Sequence, residues 1–369
     1  TGSDLYSTRI SGNKVNPVPK LHFDLVSHDL STVFGTPEEI SNGLFRPFGG
    51  ESTTLDFALP QPLKDWTGYS DSIEGKDIKE FWEPARFSWS LTLAGEFTRS
   101  RDNKYVEVFW KYFEKFSEHN PCYLGPNWVS AQEVALRAIN WLLLFPVFHS
   151  SPASTPARQD ALVQSLWQHF VRILPTIGYA KSQNNNHLLS ESLALSMLGD
   201  FFTPQSAFAQ KWKRRGKSIF EKTLLSQISS DGTYCQHSTN YHRMMLHLSL
   251  IYRTWLAHYQ EELPQEVSAR LAEAVKWLTM QYDTLSGKVT NLGHNDGTLL
   301  LPFGCRDYGD YRPTLQAASL AFTGKPVLPF GSWDDLSNLL GLAAITKISQ
   351  SKFLAPSPLR IGNETLWAS

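Results

Sequence analysis

The stretch Asp231-Gly-Thr-Tyr-Cys-Gln-His-Ser-Thr-Asn-Tyr-His242 places a turn, a helix start and a Tyr-His pair close together. Asp231-Gly232 is a typical turn pair. Ser238 is a favourable N-cap for the helix-periodic residues that follow, and it puts Tyr241 at the third helical position. The same succession of breaker and helical segment recurs along most of the chain, so this stretch indicates how the whole fold is built.

Helical periodicity begins near Asp77 and continues almost to the end of the chain. Apolar residues recur at three- and four-residue spacing in Phe81–Phe97, Tyr105–Phe116, Val129–Phe145, Ala161–Ile177, His187–Leu198, Phe208–Ile228, Ser238–Tyr259, Pro264–Tyr282, Pro313–Thr323 and Trp333–Thr346. Short loops between such segments make consecutive helices antiparallel neighbours. We therefore predict an all-α fold, an incomplete α/α toroid or barrel of antiparallel helix pairs. An α-solenoid is the alternative, although the sequence shows no fixed repeat period.

The region before the helices differs in composition. Residues 1–75 are rich in Gly, Pro, Ser and Thr and show weak periodicity. This composition predicts an irregular N-terminal arm with short strands near Leu44–Phe48 and Thr54–Phe57. Residues 76–350 are predicted to form the toroid.

The overall composition of the 369-residue chain fits a large core. Hydrophobic residues make up 41% and aromatic residues 13%, which fits core packing or a carbohydrate-binding cleft lined by flat rings. A net charge of −1 cannot steer a polyanion over long range, so any anion site must be local.

The sequence does not support several other classes of protein. Three widely spaced cysteines indicate neither a disulfide framework nor a zinc site. No apolar run reaches the ~20 residues that a membrane span needs. The basic run Lys211–Lys217 fits a solvated helix face better than nucleic-acid binding.

A second polar cluster, Ser182-Gln-Asn-Asn-Asn-His-Leu-Leu-Ser-Glu191, opens another helical segment. The two clusters supply a phenol, imidazoles and carboxamides at two helix N-termini, a set that suits proton abstraction beside a substrate carboxylate. Tyr241 is the candidate proton-transfer group, and Asn186 and His187 are the candidate carboxylate ligands. The alternatives are that Tyr241 packs its ring in the core and that the Asn run only caps a helix.

Tyr241 could act as a phenolate base only if its pKa fell about 2–3 units below the ordinary ~10. A helix dipole supplies less than about one unit. A cationic His187, His237 or His242 would have to supply the rest. His237 and His242 are also candidate substrate-binding residues.

Three charged residues extend the candidate site. Arg86 lies among aromatic residues and is a candidate for binding a polyanion. Glu191 is spaced to orient His187 at i+4, and it is also a candidate substrate-binding residue. Glu133 and Arg137 are spaced i,i+4 and are predicted to pair on a helix surface.

Four sequence motifs occur in a fixed order along the chain: Trp82-Glu-Pro-Ala-Arg86, Glu133-Val-Ala-Leu-Arg-Ala-Ile-Asn-Trp141, Asn185-Asn-His187 and Ser238-Thr-Asn-Tyr-His242. They resemble the N-terminal α/α toroid of the heparinase II/III-like polysaccharide lyases, and the chain is also similar to oligoalginate lyases. The resemblance implies β-elimination on an acidic, uronate-containing polysaccharide. It implies Tyr241 as the catalytic tyrosine and Asn186, with His187, as the group that neutralises the substrate carboxylate.

The resemblance also implies parts beyond this chain. Similar enzymes carry a C-terminal β-sandwich domain that supplies a further catalytic His and often a structural zinc. We read residues 351–369 as the start of a linker to such a domain, and we expect no cofactor in this chain and weak or no turnover by it alone. The family is periplasmic or extracellular, and we expect the same location here.

Two other functions remain open at this point. One is a non-catalytic toroid that binds an acidic glycan. The other is an α/α-barrel glycoside hydrolase, which needs two carboxylates about 5–10 Å apart. Asp231, Asp296 and Glu191 are the carboxylates that such a hydrolase would use.

Overall fold

The computed structural model describes residues 8–10, 12, 14–23, 25 and 32–342 of the chain. The predicted linker at 351–369 and the end of the last predicted helix lie outside the described residues.

The described chain is mostly helical, as predicted. Its α-helices are α1 Pro37–Ser41, α2 Lys79–Ala85, α3 Ser90–Ser100, α4 Lys104–His119, α5 Ala131–Phe148, α6 Pro156–Ile173, α7 Ile177–Gln183, α8 Asn186–Phe201, α9 Ala207–Gln227, α10 Thr239–His258, α11 Gln265–Met280, α12 Arg312–Thr323 and α13 Asp335–Leu339. Four short strands pair as two antiparallel hairpins, β1 Leu44–Phe45 with β2 Thr53–Thr54 and β3 Ser72–Ile73 with β4 Lys76–Asp77. The first hairpin lies close to the predicted strands, whereas the second was not predicted.

The long helices form two layers. Helices α3, α5, α8, α10 and α12 contact one another in succession as an inner row, and α4, α6, α9 and α11 alternate with them along the chain. Every residue of α8 except His187 is buried, whereas only six of the 21 residues of α9 are buried. Helices that are apolar all round belong inside and amphipathic helices belong outside, so burial and connectivity agree on an α/α toroid.

Two glycines bring an inner and an outer helix into backbone contact. A Cβ added at Gly216 of α9 would lie 2.5 Å from the backbone nitrogen of Ser196 on α8. A Cβ added at Gly199 of α8 would collide with the backbone of Lys213 on α9. The absence of side chains at these two positions therefore sets how closely α8 and α9 approach.

The aromatic residues are mainly core residues. Phe57 stacks on Phe87, with ring centroids 5.4 Å apart, and Phe87 meets Trp141 edge-to-face at 5.3 Å. Trp89 and Phe116 extend the same cluster. Of the two readings of the aromatic content, core packing is confirmed for these rings.

Helix α5 is the one helix of the described residues that is long and apolar enough to cross a membrane. However, 94% of it is buried inside the domain. Its place in the inner row explains its apolar composition.

The N-terminal arm packs across the ring. The Asn16 backbone N–H donates to the Phe201 carbonyl at the end of α8. Tyr259, just after α10, donates to the Pro17 carbonyl. The His22 N–H then donates to the Leu339 carbonyl in α13. The arm is irregular, as predicted, but it is held by hydrogen bonds to several parts of the ring.

Candidate functional site

The two polar clusters cap two neighbouring inner helices. Asn185 caps α8, since its Oδ1 accepts from the His187 N–H at 3.0 Å. Ser238 caps α10, since its Oγ accepts from the Tyr241 N–H at 3.1 Å. Tyr241 is thus the third residue of α10, as predicted.

Hydrogen bonds join the two helix ends. The Asn186 backbone N–H donates to Gln236 Oε1 at 2.9 Å, in the loop that leads into α10. The Asn186 side-chain Nδ2 donates to Gln132 Oε1 at 2.9 Å and lies 3.8 Å from the Met244 sulfur. Met244 follows Tyr241 by one helical turn, so it lies on the same side of α10. These contacts place Asn186 and Tyr241 in the neighbouring N-terminal turns of α8 and α10.

The Tyr241 phenol belongs to a chain of three polar groups. Its hydroxyl donates to Asp296 Oδ1 at 2.8 Å, and Asp296 Oδ2 lies 3.0 Å from Lys79 Nζ. Gly297 allows this approach, because a Cβ there would lie 3.2 Å from the Tyr241 ring and would collide with Asn240. The loop that carries Asp296 therefore closes directly over the start of α10.

This arrangement disfavours a phenolate. Burial and the hydrogen bond to Asp296 raise the pKa of Tyr241 well above its ordinary value. Partial burial would also raise the pKa of Asp296, but the hydrogen bonds from Tyr241 and Lys79 outweigh it, and that pKa is lowered. At neutral pH the proton therefore stays on the phenol and the charge stays on the carboxylate.

His242 does not serve this site, which corrects its expected role in substrate binding. Its ring is fully buried, stacks on Trp277 of α11 at 5.1 Å and makes a 3.0 Å hydrogen bond to the Ala274 carbonyl. Burial lowers the pKa of His242 to about 4. It is therefore neutral at pH 7 and cannot lower the pKa of Tyr241.

His187 and Glu191 form a pair on α8. The His187 side chain is 37% exposed, and its Nδ1 lies 3.8 Å from Glu191 Oε1. Glu191 itself is buried, and burial raises its pKa even though His187 opposes the shift. His187 is thus accessible to a ligand, whereas Glu191 lies behind it and is placed to orient the ring rather than to touch substrate.

His237 is exposed in the loop before α10, with a left-handed backbone (φ 48°). The neighbouring loop packs on it, because a Cβ at Gly293 would collide with the His237 carbonyl. His237 is therefore open to solvent at the rim of the site.

Arg86 is not available to a polyanion, which corrects its expected role. It is buried, its Nε and Nη2 donate to Glu133 at 2.6 and 2.9 Å, and its Nη1 pairs with Glu83. The predicted Glu133–Arg137 surface pair is also wrong. Arg137 is buried in α5 and donates to His169 at 2.8 Å. The carboxylates of Glu83 and Glu133 thus bind Arg86 in a buried ion-pair cluster close to the site.

Several polar groups of the site escaped the sequence analysis. Lys79, Gln132 and Gln236 are not among the predicted site residues, and Asp296 is predicted only as a hydrolase carboxylate. Their partners lie on other elements, up to 217 residues away for Lys79 and Asp296. The one local signal was the turn-rich loop around Asp296.

The fold and the site together define a helical toroid domain with a carboxamide and a phenol at the ends of two inner helices. Residues 65–291 match the family described as Heparinase II/III N-terminus, and the chain belongs to that family.

Two curated relatives are heparin-sulfate lyases. The one from Bacteroides thetaiotaomicron is 26% identical over 188 residues, which is 50% of this chain and 26% of the relative. The one from Bacteroides stercoris is 24% identical over 213 residues, 52% of this chain and 31% of the relative. The matched part of the chain therefore spans about a third or less of these relatives.

Solved structures share the fold at low identity. A crystal structure of heparinase III aligns with a TM-score of 0.53 and 19% identity, covering 78% of this chain and 44% of that chain. Heparan sulfate lyase HepC from Pedobacter heparinus aligns with a TM-score of 0.50 and 19% identity, covering 72% and 42%. The relatives are heparin- and heparan-sulfate lyases, and the narrower resemblance to oligoalginate lyases finds no support among them.

Proposed function

We propose that this chain is the toroid domain of a lyase that cleaves a uronate-containing glycosaminoglycan of the heparan sulfate type by β-elimination. The observation that carries the proposal is the pairing of the Tyr241 phenol with Asp296 at 2.8 Å, beside an inner-helix end that presents Asn186. Family membership and the heparin-sulfate lyase relatives support the substrate class.

Asn186 and His187 bind the uronate carboxylate in this proposal. Removing the C5 proton places negative charge on that carboxylate, and hydrogen-bond donors aimed at it stabilise the charge. A carboxamide has two N–H donors, and those of Asn186 meet Gln132 Oε1 and the Met244 sulfur. Asn186 is also buried, so in this proposal the substrate carboxylate replaces the weak contact to the Met244 sulfur. The N-terminus of α8 adds its positive dipole end to the same place.

Tyr241 moves the proton without becoming a free phenolate. As the phenol oxygen takes the C5 proton, its own proton passes to Asp296. The electron pair left at C5 forms the C4=C5 double bond as the C4–O bond breaks, and the phenol gives the captured proton to the departing glycosidic oxygen. Asp296 then returns its proton to Tyr241. The substrate loses one proton from C5 and the leaving sugar gains one, so the enzyme ends as it began.

A glycoside hydrolase fits the site less well. Asp231 is bound within its own turn, where the Thr233 N–H lowers its pKa. Glu191 is buried, and Asp296 is held by Tyr241 and Lys79. The three candidate carboxylates thus have separate structural partners.

The test is to incubate the full-length protein with heparan sulfate and other uronate polysaccharides and to follow ultraviolet absorbance. A conjugated, unsaturated uronate product supports a lyase. New reducing ends without that absorbance would indicate a hydrolase, and saturable binding with neither product would indicate a non-catalytic glycan-binding domain.

A further inference from the structure

A groove of ≈ 640 Å³ lies on the outer side of the toroid, where α7 and the first turn of α8 meet α9. We call it the outer groove and define it by Lys181, Leu188, Trp212, Arg215, Ile219 and Lys222. These residues are distinct from Asn186, His187 and Tyr241.

The charged residues that line the outer groove are all cations. Lys181, Arg215 and Lys222 are exposed, and no carboxylate lines the groove. Within the described part of the chain, none of these three cations forms an ion pair. Lys213 and Lys217 of the same helix are instead paired with Asp200 and Glu261. Three cations without an ion-pair partner among the described residues therefore line one groove on a protein of nearly zero net charge.

The groove also has an apolar floor. Leu188 is buried at its base, and Trp212 and Ile219 are partly buried along its wall. The Arg215 guanidinium carbon lies 5.5 Å from the centre of the Trp212 ring. Cations beside flat apolar surface suit a sugar chain, because anionic substituents meet the cations while the C–H face of a sugar ring packs on the indole.

The shape and position of the groove favour a chain over a small anion. Its residues follow one face of α9 from Trp212 to Ser226, a length of roughly 21 Å at 1.5 Å per residue. Gln227, the next residue, donates to Asn184 Oδ1 at 3.2 Å and to the Asn185 carbonyl at 3.0 Å. The groove thus ends at the loop that leads to Asn186.

We propose that the outer groove is a second binding site for a sulfated or uronate polysaccharide chain, outside the residues that carry the proposed elimination. Lys181, Arg215 and Lys222 bind the anionic groups, and Trp212 supports a sugar ring. The groove holds a part of the polymer that is not being cleaved. The role of the outer groove in catalysis rests on the proposed function, whereas its binding of a polysaccharide does not.

The experiment compares two variants of the full-length protein. Lys181→Gln/Arg215→Gln/Lys222→Gln removes the three groove cations. The control Lys20→Gln/Lys111→Gln/Lys325→Gln removes three exposed cations elsewhere and changes the net charge equally. Both should melt like the parent, because the positions are exposed.

Binding is measured by calorimetry with long heparan sulfate chains at low and at physiological salt, and turnover is measured with a tetrasaccharide. The groove variant should bind long chains roughly 10-fold more weakly at low salt, with a smaller loss at high salt. Its tetrasaccharide turnover, and the long-chain affinity of the control, should stay within about twofold of the parent.

Equal long-chain affinity of the groove variant and the control would overturn the proposal. A parent protein that prefers duplex DNA to heparan sulfate through the same three cations would overturn it in favour of nucleic acid. If no polysaccharide yields unsaturated product but groove-dependent binding persists, the proposed function fails and the second binding site stands.

Discussion

The Tyr241 hydroxyl donates a 2.8 Å hydrogen bond to Asp296, 55 residues further along the chain. Because this bond and burial raise the pKa of the phenol, Tyr241 rests as a neutral hydroxyl. Tyr241 can therefore act in elimination only by exchanging its proton, because no phenolate is present at neutral pH.

Tyr241→Phe should abolish most of the activity and leave the fold intact. The change removes one hydroxyl and keeps the ring. We expect the turnover of the full-length protein to fall by roughly 10²–10⁴, while the free energy of unfolding falls by about 0.5–1.5 kcal/mol. Unsaturated-product formation and chemical denaturation measure the two effects. Parent-like turnover in the variant would remove Tyr241 from the mechanism.

Asp296→Asn separates proton relay from positioning. The asparagine oxygen can still accept from Tyr241, so the phenol keeps its place, but it cannot hold a proton as a carboxylate can. We expect the turnover to fall by at least about 10²-fold, as for loss of a general base, with little change in KM. The pKa of Tyr241 should move down toward its ordinary value in an ultraviolet pH titration. Normal turnover would mean that Asp296 only positions the phenol.

His242 should make the domain less stable in weak acid. Its pKa is about 4 in the fold and about 6.5 in the unfolded chain. The unfolded protein therefore binds more protons than the folded protein between these pH values. The contribution of neutral His242 to the free energy of unfolding is complete above about pH 6.5 and is lost as the pH falls toward 4. The contribution is of the order of 3 kcal/mol.

Urea denaturation of parent and His242→Asn at a series of pH values tests this link. The variant should lose stability less steeply with falling pH, whatever its stability at pH 7. His294→Asn, at an exposed loop position, should keep the slope of the parent. A slope unchanged by His242→Asn would contradict the prediction.

Gly216→Ala should force α8 and α9 apart. The added Cβ would lie 2.5 Å from the Ser196 nitrogen and 2.7 Å from the Ser192 carbonyl oxygen, both backbone atoms that cannot rotate away. We expect a loss of about 1–3 kcal/mol in the free energy of unfolding.

Gly178→Ala is the matched control for that substitution. Gly178 lies in α7 with nothing within 4 Å of an added Cβ. An alanine there should raise stability by about 0.5–1 kcal/mol through helix propensity. If thermal melting showed equal effects for the two alanines, close helix packing would not be the reason for Gly216.

Local signals predicted the helices and their caps well. Ser238 and Asn185 cap their helices through residues two or three positions away, and such contacts can be read from spacing. Spacing did not predict the different surroundings of Tyr241 and His242, because each residue of a helix is turned about 100° from the one before it. One therefore points at Asp296 and the other into the core between α10 and α11.

The errors concern burial and long-range pairing. The Glu133–Arg137 prediction assumed a solvent-facing helix, but α5 is buried all round. Arg86, the residue that follows α2, reaches Glu133 instead. Nothing in the spacing of Lys79 or Gln132 indicated a partner, because each bond is made only when the ring has formed.

The arm that crosses the toroid has a consequence for how the domain is made. Asn16 bonds to Asp200, 184 residues away, and the His22 N–H reaches Leu339. Residues 16 and 22 leave the ribosome long before their partners exist, and contacts of such separation are slow to form. Asn16 can pair as soon as α8 has been made, whereas His22 must wait until α13 has been synthesised. The arm therefore docks in steps, and hydrogen-exchange protection of the Asn16 amide should appear before that of the His22 amide.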